Sequence, residues 1–229
     1  MGSAQADPGY YLLRPYEQAG HGTVELRYWS VKADAGGPAT LWPELGASYG
    51  LSRRWTTRLL ASFIGTADSA VKLSTLNWQN DWLLSAADSD HELALHTQYI
   101  SERGYDGGFA LEIGPVFQTE FGLTRLNLNL LLSREYNEDA AASTQLKYQW
   151  QVSRPLGPGW RLGLQGFGEL GNWLHWAPHK RQSHRAGPSF QRDWQLANGQ
   201  GLSLQAALLF GSTYTQNGKM FSAQLQWSY

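Results

Sequence analysis

The sequence predicts an all-β protein: a transmembrane antiparallel β-barrel of about twelve strands, the pattern admitting roughly 10 to 14. Three observations carry that prediction. Apolar and polar side chains alternate along most of the chain with the period of two that belongs to a strand. Charged residues make up only 16% of the 229, against roughly 25% in ordinary soluble proteins, and Gly 25, Trp 11 and Tyr 11 fill the difference. No stretch approaches the ~20 consecutive apolar residues of a membrane helix, and mean hydropathy is -0.42. Strands are then the one route across a bilayer, because alternation hides their lipid-facing half from any average.

The alternation is clearest at Leu126, Leu128, Leu130 and Leu132 against Arg125, Asn127, Asn129 and Ser133, with Leu131 as the one exception. It recurs at Leu146, Tyr148, Trp150 and Val152 against Gln145, Lys147, Gln149 and Gln151, and at Leu202, Leu204, Ala206, Leu208 and Phe210 against Ser203 and Gln205. Earlier in the chain Val24, Leu26 and Tyr28 stand against Glu25 and Arg27, Leu45, Ala47 and Tyr49 against Glu44 and Ser48, and Trp55, Leu59, Ala61 and Phe63 against Arg58. Leu76 and Trp78 flank Asn77, and Leu93, Leu95 and Tyr99 face away from Glu92, His96 and Gln98. Phe109, Leu111 and Ile113 oppose Glu112, and Trp160, Leu162 and Leu164 oppose Arg161 and Gln165. Segment 183–194 is the least regular, though Phe190 and Trp194 fit. Each strand is expected to run about ten residues, the length that crosses a bilayer at a tilt.

The connections are expected to alternate in length. Tight turns rich in Gly, Pro, Asp and Asn are predicted near 51, at 85–90, 121–124, 154–159 and 197–200, and looser loops at 33–38, 65–70, 101–108, 135–141, 171–183 and 212–219. The chain closes on KMFSAQLQWSY, where Phe221, Ala223, Leu225, Trp227 and Tyr229 form one face and Ser222, Gln224, Gln226 and Ser228 the other. This ending resembles the C-terminal assembly signal of Gram-negative outer-membrane proteins, whose alternating apolar residues end in an aromatic, most often Phe; Tyr229 is a departure. The resemblance implies a porin-like barrel in the bacterial outer membrane, in contact with lipid and lipopolysaccharide. The rival arrangement is a soluble sandwich or lipocalin-like barrel with its apolar faces inward. Some twelve such faces would have to fill one interior, and only about eight strands enclose a space that side chains can fill.

With apolar faces outward, the polar face lines an enclosed lumen. Its charged candidates are Glu25, Arg27, Glu44, Arg58, Glu92, His96, Glu112, Arg125, Lys147, Arg161, Glu169 and Arg185. Neither sign dominates, so pairing across the barrel competes with a transverse field that would orient a polar or zwitterionic solute. Residues 21–229 are expected to form the barrel, and 1–20 a tail or plug, with Tyr10, Tyr11 and Arg14 meeting the lumen in the second case; Met1, Gly2 and Ser3 read as a cloning remnant.

Several classes are excluded or disfavoured. The formal charge is -1 and cysteine is absent, so a disulfide scaffold, a thiolate metal site and a nucleic-acid partner are not expected. No cofactor and no metal is expected: His175 and His179 are spaced as helical ligands, but Pro178 lies between them. The same loop, with Lys180, Arg181, His184 and Arg185, is a candidate contact for lipopolysaccharide phosphates. A barrel hydrolase or protease needs a Ser, a His and a carboxylate together; His96, Ser101 and Glu102 lie close in sequence, but no hydrolase motif surrounds them. The expected function is a non-enzymatic channel passing a small hydrophilic solute by passive diffusion, without an energy-coupling motif. The alternative is a structural, assembly or partner-binding barrel with an occluded lumen, alone or as a homo-oligomer.

Overall fold

The computed structural model describes residues 10–15, 19–86, 88–103, 108–136, 143–213 and 216–229. Twelve antiparallel strands close into a barrel: β1 (Gly22–Ala33), β2 (Thr40–Ser52), β3 (Trp55–Thr66), β4 (Ser69–Leu83), β5 (His91–Glu102), β6 (Phe109–Phe121), β7 (Thr124–Tyr136), β8 (Gln145–Gly157), β9 (Trp160–Asn172), β10 (Ser183–Gln195), β11 (Gly201–Thr213) and β12 (Gln216–Ser228). Each strand pairs with its sequence neighbours, and β1 pairs with β12 in a register that sets Leu26 opposite Leu225 and Arg27 opposite Gln224. Tyr229 extends the seam by exchanging backbone hydrogen bonds with Gly22, at 3.0 and 3.2 Å. A Cβ at residue 22 would run into the Tyr229 ring, so glycine there admits the aromatic.

The distribution of side chains is inside-out relative to a soluble protein. Among the described residues, 31 buried side chains are polar or charged and 16 are apolar, whereas Leu26, Leu45, Leu59, Trp78, Leu130, Leu164 and Leu208 are exposed on the outer face. Such a surface is stable in hydrocarbon and costly in water. Leu131, the exception to the alternation of β7, points inward and is buried in an apolar cluster with Tyr11, Leu13, Ala94 and Val116. Segment 183–194 forms a regular strand despite its sequence, with Ser183, Arg185, Ser189 and Gln191 buried. Pairing of β10 with β11 lapses at Gly187 and Pro188 and resumes in the same register, because proline has no N–H to give.

Two expectations change. The strands run to between 12 and 15 residues rather than about ten. The connections do not divide cleanly into short and long. On the side away from the termini, β3 and β4 are joined by residues 67–68 alone, while on the terminal side β4 and β5 are separated by 84–90. Strand pairing consumes most of the predicted loop 212–219, since Gly218 pairs with Gly211, Asn217 with Ser212 and Gln216 with Thr213. Within the loops expected at 101–108 and 135–141, residues 104–107 and 137–142 lie outside the described residues, as do 214–215.

Candidate functional site

The inward rows of β1 to β5 converge on one buried charge network. The Arg27 guanidinium donates to both Glu25 oxygens, at 2.9 and 3.1 Å, and lies 3.8 Å from Glu44. Arg58 bridges Glu25 at 2.6 Å and Asp81 at 3.6 Å. Gln224 Nε2 donates to Glu25 at 2.9 Å, and Ser62 Oγ donates to Glu44 at 2.6 Å. His96 Nδ1 is 2.6 Å from Asp81 Oδ1, with the imidazole fully buried. Alternation places these groups here: one residue in two turns inward, and antiparallel neighbours bring a carboxylate level with a guanidinium, as Arg27 opposite Glu44.

The opposite wall is lined mainly by amides. Asn129 Nδ2 donates to Gln149 Oε1 at 2.9 Å, and Gln165 Oε1 accepts from both Gln151 and Gln205 at 3.0 Å. Gln118 links Asn127 to Glu92, each at 2.8 Å. Lys147 pairs with Glu112 at 3.0 Å, and Arg125 with Glu120 at 2.8 Å. Arg161 approaches Ser153 Oγ and the Ser153 carbonyl at 3.4 Å.

Between the two walls runs the chain from Tyr10 to Pro15, and Tyr10, Tyr11, Leu12 and Leu13 are all buried. Tyr10 donates its hydroxyl to Glu169 at 3.1 Å and packs edge-on against Trp29 and Phe167, at 5.1 and 5.7 Å. Trp29 in turn stacks on Trp42 at 3.7 Å. The Tyr11 hydroxyl accepts from Gln79 at 2.6 Å, and the Arg27 guanidinium lies 3.7 Å over its ring. The Leu13 N–H donates to Gln149 Oε1 and its carbonyl accepts from Asn129 Nδ2, both at 3.0 Å. Arg14 donates to Gln191 and Gln205, at 2.7 and 2.8 Å. Ser222 Oγ holds the Tyr10 carbonyl at 3.1 Å. An extended segment exposes unpaired backbone polar groups, and the wall amides satisfy several of them.

Of the predicted lumen residues, Glu25, Arg27, Glu44, Arg58, His96, Glu112, Glu169 and Arg185 are buried, and Glu92, Arg125, Lys147 and Arg161 are half-buried. The lumen candidates leave out Asp81, although its parity on β4 places it inward, and attention to charge alone misses the amides Gln79, Asn129, Gln149, Gln191 and Gln205, which parity also assigns to the inner face. Trp29 falls inward by the same rule, next to outward Tyr28. His96 and Ser101 do not meet: His96 faces Asp81 inside, whereas Ser101 borders a groove on the outer face with Val24, Leu45, Leu59, Trp78 and Tyr99. In the loop after β9, His179 stacks on His184 at 5.5 Å, and His184 is held by Tyr148 Oη and Gln182 Oε1. Among the described residues no group of three or more His, Asp or Glu is placed to hold a metal ion.

No protein-family model and no curated protein matches the sequence. Solved structures do match in fold. The COG4313 outer-membrane channel from Pseudomonas putida F1 aligns with a TM-score of 0.61 at 12% identity, covering 98% of this chain and 99% of that one. The NanC porin aligns at 0.55 and 9% identity over 88% of this chain and 98% of its own, and the KdgM porin at 0.50 and 6% over 88% and 97%. The architecture is therefore that of the porin-like barrels of the bacterial outer membrane.

Proposed function

We propose that this protein is an outer-membrane channel through which a small hydrophilic solute diffuses passively, its bore set by the segment Tyr10–Pro15. What carries this reading is the contrast between the two faces of one closed wall, apolar outside and lined inside by paired charges and amides, with a second piece of chain laid along the interior. A wall built only for shape would be served by a packed interior, as in smaller barrels. Here most of the side chains lining the inside are hydrophilic, with apolar clusters confined to the seat of the inserted segment, and the two solved porins and the solved channel of like fold carry the same class of function in their names. The chemistry required is steric and electrostatic, since a passive channel selects by bore and lining groups.

The burial of Tyr10 to Leu13 favours a second reading, a barrel occluded at rest. The experiment that separates them is single-channel recording in a planar bilayer with the full chain and with a variant lacking residues 1–18. Small steps from the full chain that grow several-fold on deletion establish the channel and the role of the segment. Silence from the full chain with steps from the deletion variant identifies an occluded barrel, and silence from both removes the channel reading.

A further inference from the structure

The twelve charged positions expected in the lumen are nearly balanced in sign, but the structure does not leave them equally available. On the β1–β5 side, Glu25, Glu44 and Asp81 are enclosed among Arg27, Arg58, His96, Ser62 and Gln224. Elsewhere Glu112 is held by Lys147, and Glu169 accepts from Tyr10. The situation differs at the terminal end of β7 to β11. Arg125 stands opposite Ser153, Ser153 receives Arg161, Arg161 stands opposite Gln191, and Gln191 receives Arg14 from the inserted segment. Three guanidinium groups thus share one arc of the lumen, linked to one another through Ser153 and Gln191.

The carboxylates bordering this arc are Asp193, which accepts from Gln191, and Glu120, which accepts from Arg125. Asp193 accepts two bonds from Gln191, at 2.8 and 2.9 Å, and one from Ser203 at 2.7 Å, and Glu120 pairs with Arg125 at 2.8 Å, so three guanidinium groups face two carboxylates and the arc keeps a net positive charge. Arg14 Nε is buried with no hydrogen-bond partner among the described residues. A buried charged donor without an acceptor is costly, and an anion supplies what it lacks. Arg125 and Arg161 keep part of their surface exposed, so the arc is reachable.

We propose that Arg14, Arg125 and Arg161 form a binding site for a carboxylate-bearing solute, and that the N-terminal segment is therefore a component of the selectivity element as well as an obstruction. This deepens the channel reading and rests on it for its physiological meaning, though binding itself does not need conduction. The test is isothermal titration of the detergent-solubilised full chain with glucuronate and with glucose, which differ in the carboxylate. Glucuronate is expected to bind at least about tenfold more tightly. Arg14→Gln and Arg161→Gln are each expected to remove most of that preference, and Arg154→Gln, which alters the exposed face of β8, to leave it intact. Folding of every variant is checked by its shifted mobility on an unboiled detergent gel.

Equal binding of the two sugars overturns the proposal. So does a preference that survives Arg14→Gln while falling with Arg161→Gln, because the segment then contributes nothing. Glucuronate binding by a barrel that passes no current supports the site and removes the channel.

Discussion

At the scale of single residues, the interior is governed by the cost of leaving a buried charge alone. Arg27 touches Glu25 through two donors, approaches Glu44, and covers the Tyr11 ring. Truncating it removes the cation that Glu25 and Glu44 share while both carboxylates stay buried. Arg27→Ala is therefore expected to lower the stability of the folded barrel by about 3 kcal/mol, measured by urea unfolding from phospholipid vesicles, whereas Arg154→Ala on the exposed face of β8 should change it by less than about 0.5 kcal/mol. Much of this was legible in the sequence, since parity alone assigns Glu25, Arg27, Glu44 and Arg58 to one face. The partners were not. Which carboxylate meets which guanidinium depends on register between strands, and Asp81 joins Arg58 only because β3 and β4 set Arg58 opposite Gln79, one inward step from Asp81.

At the scale of elements, the wall holds its register through places where side chains are missing. In β6, Gly114 precedes Pro115, and pairing with β7 lapses there and resumes unchanged at Val116 opposite Asn129. A Cβ at Gly114 would run into the carbonyl oxygen of Leu130 on the neighbouring strand. Because that obstacle is backbone, relief requires the strands to separate. Gly114→Ala is expected to destabilise the barrel by about 1–3 kcal/mol, read in the same urea titration, with a normal far-ultraviolet spectrum at zero denaturant. The strands themselves were legible because alternation is a local signal, and even the irregular 183–194 revealed its type through Phe190 and Trp194. Connection lengths were less so, since Gly-rich and polar residues continue into the paired ends of β11 and β12.

At the scale of the whole molecule, the direction of the two faces decides the environment. Leu59 lies on the outer face at 64% exposure, among the most exposed leucines of the wall. Leu59 lies near the middle of β3, and Leu59→Arg is expected to cost about 2–4 kcal/mol, measured by unfolding from vesicles. The seat of Tyr10 to Arg14 was the least legible feature. Residues 10–15 show no period of their own, and their partners Gln79, Asn129, Gln149, Gln191 and Gln205 come from strands far apart in the chain. One trace was visible, the inward Leu131 that breaks the leucine alternation of β7 and packs beside Leu13.

The ring of strands is complete without that insert, for β1 is already joined to β12 and each strand has a partner on both sides. Wall and insert are thus held by separate sets of bonds, backbone ladder in one case and side-chain clasps in the other. On the proposed channel reading, changes within residues 10–15 would alter the calibre and chemistry of the passage while every rung of the cylinder stays in place, so one short stretch of chain would adapt the same scaffold to a new cargo.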